Sequence, residues 1–318
     1  MSDRLYNGVM EGHLAAVERA LTSYLPKDDS QNTLYQIMEY ACAAGGKRLR
    51  PVLALEFCRI CGGDVQKALP FACAVEMIHS YSLVHDDLPC MDNSPTRRGR
   101  PSAHAAYGET MALLAGDALL NRAFEVILNP ENRQGLPEKS VLLAAFALAD
   151  AAGAQGMVGG QYLDLQSECK SIDLYTLERL QMGKTAALIR ASCEIGCHIA
   201  GADDEKLDAA RTFGTQLGLC FQIVDDILDA TATSEQIGKP AGSDGESGAV
   251  PIIGNNGNWF IDDLDTGVPA RGVDGVSGVT PVIGENGNWF IDDIDTGVPA
   301  RGADGVDGKS AYDLWKEA

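Results

Sequence analysis

Val141-Leu142-Leu143-Ala144-Ala145-Phe146-Ala147-Leu148-Ala149-Asp150-Ala151-Ala152 is the stretch on which the fold turns. Alanine and leucine occupy nearly every position, so a helix built from it is apolar on almost all faces, and such a helix belongs inside a bundle. Working outward, apolar residues recur at helical spacing in Leu14-Val17-Leu21 and in Leu34-Ile37-Tyr40-Ala41, where Gly45-Gly46 stops the pattern. The same periodicity predicts helices at about 49–60, 66–88, 105–128, 138–155, 172–200 and 204–230. Strand signals are scarce in this part, which reads as all-α.

The chain has 318 residues and a formal net charge of −20, a balance that argues against nonspecific nucleic-acid binding and against docking on an anionic membrane. No apolar run approaches the length of a membrane span. Met1-Ser2-Asp3-Arg4-Leu5 lacks the apolar region of a signal peptide, so a soluble cytoplasmic protein is expected. Nine cysteines fit a reducing compartment better than a disulfide scaffold. The averages conceal a seam at Gly242. Residues 1–241 carry 21 basic and 31 acidic side chains, whereas residues 242–318 carry 4 and 14. All nine cysteines precede the seam and all three tryptophans follow it.

The tail is a tandem repeat: Pro251–Thr280 and Pro281–Ser310 align without gaps and are identical at 23 of 30 positions. Asn256-Gly257 and Asn286-Gly287 are type I′ turn signals between short apolar runs and predict a small β-hairpin per repeat. The repeat resembles Gly-rich modules of bacterial surface and phage tail-fibre proteins. Asp263-x-Asp265-x-Gly267 lacks the remaining ligands of an EF-hand and reads as a solvated acidic turn.

Two acidic clusters carry the chemistry. The first is His85-Asp86-Asp87-Leu88-Pro89-Cys90-Met91-Asp92, followed by Arg97-Arg98-Gly99; the second is Gln222-Ile223-Val224-Asp225-Asp226-Ile227-Leu228-Asp229. Asp225 and Asp229, spaced i, i+4, share one helix face. Either cluster alone reads equally as solvated acid at a helix end. Two of them, each closing an apolar helix, point to a hard divalent cation such as Mg²⁺. Asp86 and Asp92 are six apart and share no face of an ideal helix, so Pro89 must break or widen the turn if both serve one site. Gly45-Gly46-Lys47-Arg48-Leu49-Arg50-Pro51 sets three cations after a glycine break, and Lys184-Thr185 follows Gly183. Cations around an acidic metal site suit a polyphosphate ligand.

These motifs, with Gly159-Gly160-Gln161 and Phe221-Gln222, together resemble the trans-polyprenyl diphosphate synthases, the bacterial farnesyl (geranyl) diphosphate synthase type in particular, over about residues 1–244. The resemblance implies an isoprenoid-synthase helical bundle, a homodimer, and condensation of isopentenyl diphosphate with an allylic diphosphate to farnesyl diphosphate. It implies Mg²⁺ held by Asp86, Asp92, Asp225, Asp226 and Asp229, with Asp87 in the catalytic set. It also implies Arg97, Lys184 and Lys239 on the allylic diphosphate, and Lys47, Arg50, His79 and Arg98 on isopentenyl diphosphate. Thr185 and Gln222 would aim oxygen dipoles at the allylic cation. Tyr81 is either the bulky cap of the product cavity or an ordinary core aromatic.

At residues 245–318 the repeats stand where the family continues with further helices, so the bundle is expected to be incomplete and its activity impaired. A different class of function is a non-catalytic surface or fibre-type binding protein carrying a synthase remnant. Ser310-Ala311-Tyr312-Asp313-Leu314-Trp315, just before the terminal Lys316-Glu317-Ala318, reads as the first turn of a helix, which suggests truncation. Cys58-x-x-Cys61 reads as a pair of buried thiols rather than a redox or zinc pair, and His104 and His198 read as structural.

Overall fold

The expected helices form in the computed structural model of the chain, which describes residues 2–26, 32–167 and 172–231 and, in the tail, residues 251–253, 258–261, 264–269, 282–283, 288–291 and 294–299. The side chains of residues 2–7, 32, 174 and 225–231 lie outside that description; in the tail only those of Asn288, Phe290 and Asp295 are inside it. The helices are α1 (Ser2–Leu21), α2 (Asn32–Cys42), α3 (Leu49–Ile60), α4 (Val65–Asp86), α5 (Ala103–Tyr107), α6 (Glu109–Leu128), α7 (Glu138–Ala152), α8 (Met157–Ser167), α9 (Leu174–Gln181), α10 (Ala187–Ala200) and α11 (Asp204–Thr231). The stretch expected at 105–128 is split at Gly108, whose φ of +87° no helix accepts. α8 was not legible in the periodicity. Residues 1–162 with 179–222 make one unit, and residues 163–178 with 223–318 another.

In the first unit α4 is buried on nearly every side, with Phe71, Met77 and Ile78 fully enclosed. Asp64 caps its N-terminus by accepting from Gln66 N–H at 3.0 Å. α4 packs against α3 and α6, while α10 packs on α3 and α7. The α3–α10 contact is between backbones: a Cβ added at Gly196 would stand 2.7 Å from Cys58 N.

An ion network clamps α1, the end of α2 and α4 together. Arg48 adopts φ +46° and turns its guanidinium inward. It donates at 2.6 Å to Glu18 Oε1, to Glu76 Oε1 and to the Cys42 carbonyl. The three-cation reading of the Lys47-Arg48-Arg50 run therefore needs correction, because Arg48 is a buried structural cation.

The reading of α7 as enclosed on all sides is also corrected. Val141, Ala144, Leu148 and Ala151 enter the core, whereas Leu142 (65% exposed) and Phe146 (68%) do not. The helical stretch Glu138–Ser167 is long and apolar enough to cross a membrane by length and composition alone, contrary to the expectation from the sequence. It is α7 and α8 with a break at Gly153, and core helices of soluble bundles share that composition.

In the second unit each repeat forms a three-stranded antiparallel sheet rather than a bare hairpin. β3 (Pro251–Ile253), β4 (Asn258–Ile261) and β5 (Leu264–Pro269) form one, and β6 (Val282–Ile283), β7 (Asn288–Ile291) and β8 (Ile294–Pro299) the other. The short hairpin β1 (Thr96–Arg97) and β2 (Arg100–Pro101) belongs to the first unit. The tail registers coincide, Phe260 facing Asp265 and Phe290 facing Asp295, as the sequence identity of the repeats requires. Asp265, in the faint Ca²⁺-loop pattern, is a strand residue.

Removing Glu76 leaves the buried Arg48 charge with only the half-exposed Glu18 as carboxylate partner. Glu76→Ala is expected to cost about 3–5 kcal/mol, measured by denaturant unfolding, whereas Arg48→Met combined with Glu76→Leu costs much less.

Candidate active site

α4 ends at Asp86, and the chain folds back on itself at once. Asp87 N–H donates to the Leu83 carbonyl at 3.2 Å, Asp92 N–H to the Asp86 carbonyl at 2.9 Å and Asn93 N–H to the Leu88 carbonyl at 3.0 Å. The turn around Pro89 thus returns Asp92 to the helix end, as two carboxylates serving one site require. Burial pushes the Asp86 carboxyl up to about 6; Lys184 opposes this, Asp92 adds to it, and Arg97 again opposes it. Three expected site residues, Asp92, Lys184 and Arg97, therefore surround Asp86.

Asp87 plays a different part from its neighbour. Its carboxylate is buried and accepts from Arg97 Nε at 3.0 and 3.1 Å, with a further bond from Arg97 Nη2. Asp87 therefore fixes Arg97 in a forked pair and spends its charge there. His85 locks the end of α4 to α6: its ring lies where a Cβ on Gly116 would be, and Nε2 is 3.0 Å from the Leu113 carbonyl. Tyr81 is buried with its ring edge-on to His85 at 5.7 Å, and burial pushes its hydroxyl up to about 12.

The basic side is shaped by left-handed backbone. Arg98 (φ +54°) and Gly99 (φ +73°) turn the hairpin of β1 and β2. The Arg98 guanidinium reaches across to donate to the Gly45 carbonyl. Gly45 (φ +78°) and Gly46 (φ +123°) allow that approach, since a Cβ on Gly46 would stand 2.5 Å from Arg98 Nη1. Arg50 has a buried Nε with no hydrogen-bond partner. Burial lowers its affinity for a proton; Glu76 opposes that and Arg98 reinforces it. His79 is held well below its ordinary range by burial and by Arg50, Arg98, Arg48 and Arg97 in turn. Lys47 is exposed on the loop before Arg48.

The sequence reading missed Arg100. Its guanidinium lies 4.2 Å from the centroid of the Tyr40 ring, and Tyr40 OH donates to the Pro101 carbonyl at 2.7 Å, so the arginine hairpin is pinned to α2. A small pocket of about 30 Å³ beside this hairpin is lined by residues including Ser80, Asp87, Arg97, Arg98 and Arg100.

Lys184 and Thr185 sit on a π-helical turn, Met182–Ala186, between α9 and α10. Such wide turns re-aim side chains and concentrate at functional sites. The turn packs directly on α8: a Cβ on Gly160 would come within 2.6 Å of Gly183 C and Lys184 Cα. That contact gives Gly159-Gly160-Gln161 its physical role. Thr185 Oγ1 donates to Gln222 Oε1 at 2.7 Å, pairing two residues expected in one role.

Asp225, Asp226 and Asp229 lie on the helical backbone of α11, so the first and last are one turn apart. Their side chains, and Lys239, lie outside the described residues. Among the described residues no group of three or more His, Cys, Asp or Glu side chains is placed to hold a metal ion.

α4 thus ends in adjacent carboxylates, with the guanidiniums of Arg97 and Arg98 beside them on the hairpin. The polyprenyl synthetase family profile matches residues 31–254, and the chain belongs to that family. It is 45% identical to a heterodimeric geranylgeranyl pyrophosphate synthase large subunit of Arabidopsis thaliana, over 72% of this chain and 62% of that protein. It is 46% identical to the farnesyl diphosphate synthase of Geobacillus stearothermophilus, over 72% of this chain and 77% of the relative. Among solved structures, an FPP/GFPP synthase from Zymomonas mobilis superposes with a TM-score of 0.67 at 40% identity, covering 72% of this chain and 83% of that one. The chain thus spans less than two thirds of the first of these relatives.

Two outcomes follow from the geometry. Gly160→Ala forces α8 away from the π-helical turn and is expected to cost about 1–3 kcal/mol in denaturant unfolding. Because His79 binds a proton less readily folded than unfolded, stability falls as pH drops below about 6.5, the unfolded value. In His79→Gln the acid limb of the stability–pH curve, followed by thermal melts, is expected to be flatter.

Proposed function

We propose that the chain is a prenyltransferase that joins isopentenyl diphosphate to an allylic diphosphate of the dimethylallyl or geranyl type, with farnesyl diphosphate as product. The observation that carries this reading is Asp86, surrounded by Asp92, Lys184 and Arg97, next to a cluster of Arg50, His79 and Arg98. The donor set fits Mg²⁺: Asp86 and Asp92 are hard oxygen donors, and Asp86 is raised by burial and by Asp92, an environment that favours a cation. Asp86 and Asp92 would hold the ion, with Asp225, Asp226 and Asp229 as further ligands. When bound, Mg²⁺ neutralises the diphosphate oxygens and so lowers the cost of its departure.

The chain's own residues do the rest. Arg97, oriented by Asp87, binds the allylic diphosphate with Lys184 and Lys239. Arg50, with its unpartnered Nε, joins Lys47, Arg98 and neutral His79 around isopentenyl diphosphate. The Thr185 proton is committed to Gln222, so the remaining capacity of that hydroxyl is as an acceptor, suited to an electron-poor carbon. Released pyrophosphate takes the final proton. Exposed Leu113 and Leu114 on α6 and Leu142 and Phe146 on α7 are apolar surface that a homodimer would cover.

The tail supports a second reading, a binding protein built on the two β-sheets with a catalytically dead bundle. One experiment separates the two: calorimetric titration of the full chain with a bisphosphonate diphosphate mimic, with and without Mg²⁺, together with product analysis from geranyl and isopentenyl diphosphates. The enzyme reading expects Mg²⁺-dependent binding and farnesyl diphosphate, formed slowly if the repeats replace covering helices. Asp86→Asn should lower the rate by about 10²–10³-fold. Absence of Mg²⁺-dependent binding overturns it.

A further inference from the structure

Four cysteines meet at the end of the α3–α10 pair, away from the carboxylates and arginines described above. Cys61 is the C-terminal cap of α3, its N–H donating to the Phe57 carbonyl at 3.2 Å, and its side chain is half-buried. Cys197 lies in the last turn of α10 and is 1% exposed. The two sulfurs are 3.7 Å apart. Cys58 and Cys193 are buried nearby, so the partner of Cys61 is not the cysteine three residues before it but one 136 positions away in the chain. The helices that carry the pair are held backbone to backbone at Gly196. Lys206, in the first turn of α11, is close enough to Cys61 to interact with it electrostatically, and it also pairs with Asp203 at 3.1 Å.

We propose that Cys61 and Cys197 are a reversible oxidation site, closing to an intramolecular disulfide when a small-molecule disulfide of the glutathione class is supplied. Cys61 reacts first, because it is half-exposed while Cys197 is buried, and only an accessible sulfur can meet the reagent. Its sulfur bonds to one sulfur of the reagent, the reagent's S–S bond breaks, and the other half leaves as a thiolate that takes up the proton lost from Cys61, leaving a mixed disulfide on Cys61. Cys197, whose thiol is raised by burial and by its cysteine neighbours, is the resolving group. It loses a proton and displaces the second thiolate, which takes that proton. Two protein thiols are oxidised and one reagent disulfide is reduced to two thiols. The sulfurs must close from 3.7 Å to about 2.05 Å to bond. The bond would tie the C-terminal ends of α3 and α10, about 16 Å along α3 from Arg50.

The full chain, incubated with glutathione disulfide, alkylated and digested without reduction, tests the assignment. The expected product is one cross-linked peptide pair joining Cys61 to Cys197, with the thermal midpoint raised by about 5 °C or more and restored by dithiothreitol. Cys197→Ser should instead trap a glutathione adduct on Cys61, and Cys61→Ser should leave Cys197 unmodified. A stable glutathione adduct on Cys61 in the unsubstituted chain overturns the proposal. So do disulfides confined to the exposed Cys90 and Cys220, with Cys61 and Cys197 both alkylated after unfolding. The mapping of the unsubstituted chain decides the matter even where a serine variant does not fold.

Discussion

Crowding of like charge is the constraint that organises the first unit. Arg48, Arg50, Arg97 and Arg98 all bear on His79, and each needs a reason to stay. Two unit charges about 4 Å apart repel by about 4 kcal/mol even in a medium of effective dielectric 20. The fold answers with a different device for each: Glu18 and Glu76 on Arg48, Asp87 on Arg97, and the Gly45 carbonyl on Arg98. His79 answers by giving up its proton. Arg50, with a buried Nε that meets no acceptor, is the place where compensation stops short. A surface prepared in this way presents charge to an incoming anion without having to reorganise.

The backbone, rather than the side chains alone, makes the arrangement possible. Left-handed residues bend the chain at Gly45-Gly46, Arg48 and Arg98-Gly99, each at a point where a cation must turn. Glycines set the distances elsewhere, as at Gly160 beneath Lys184 and Gly116 beneath His85. The acidic and basic halves share one joint, the Asp87–Arg97 pair, which links the end of α4 to the β1–β2 hairpin. Movement of either element therefore moves both halves.

Much of this was legible in the sequence because period and punctuation are local. The runs at 49–60, 66–88, 138–155 and 204–230 became helices within a few residues of the expected ends, and Pro89 marked the turn that brings Asp92 back to Asp86. What stayed hidden depends on tertiary contact. The run Lys47-Arg48-Arg50 does not say that its middle member turns inward, because that depends on Glu18 and Glu76 from two other helices. Adjacent Asp86 and Asp87 look alike in sequence, and only the hairpin separates a carboxylate beside Asp92 and Lys184 from one bound to arginine. α8 was missed because Gly159-Gly160 lowers helix propensity, and its role, close approach to another backbone, lies outside any window along the chain. Each repeat showed its first turn, between β3 and β4, through Asn-Gly, but Asp262-Asp263 gave little warning of the third strand.

The π-helical turn at Met182–Ala186 has a consequence for how this chain can vary. It holds one residue more than an α-helical turn would, so α9 and α10 are joined by a surplus residue. Substitution there changes a side chain and leaves the count intact. Deletion of a single residue would restore an ordinary α-helix and rotate everything on one side of it by about 100° relative to the other. Gly183 could then no longer face Gly160 while Thr185 faced Gln222. Length in this segment is thus fixed more strictly than identity, and variants that keep the spacing should outnumber those that change it.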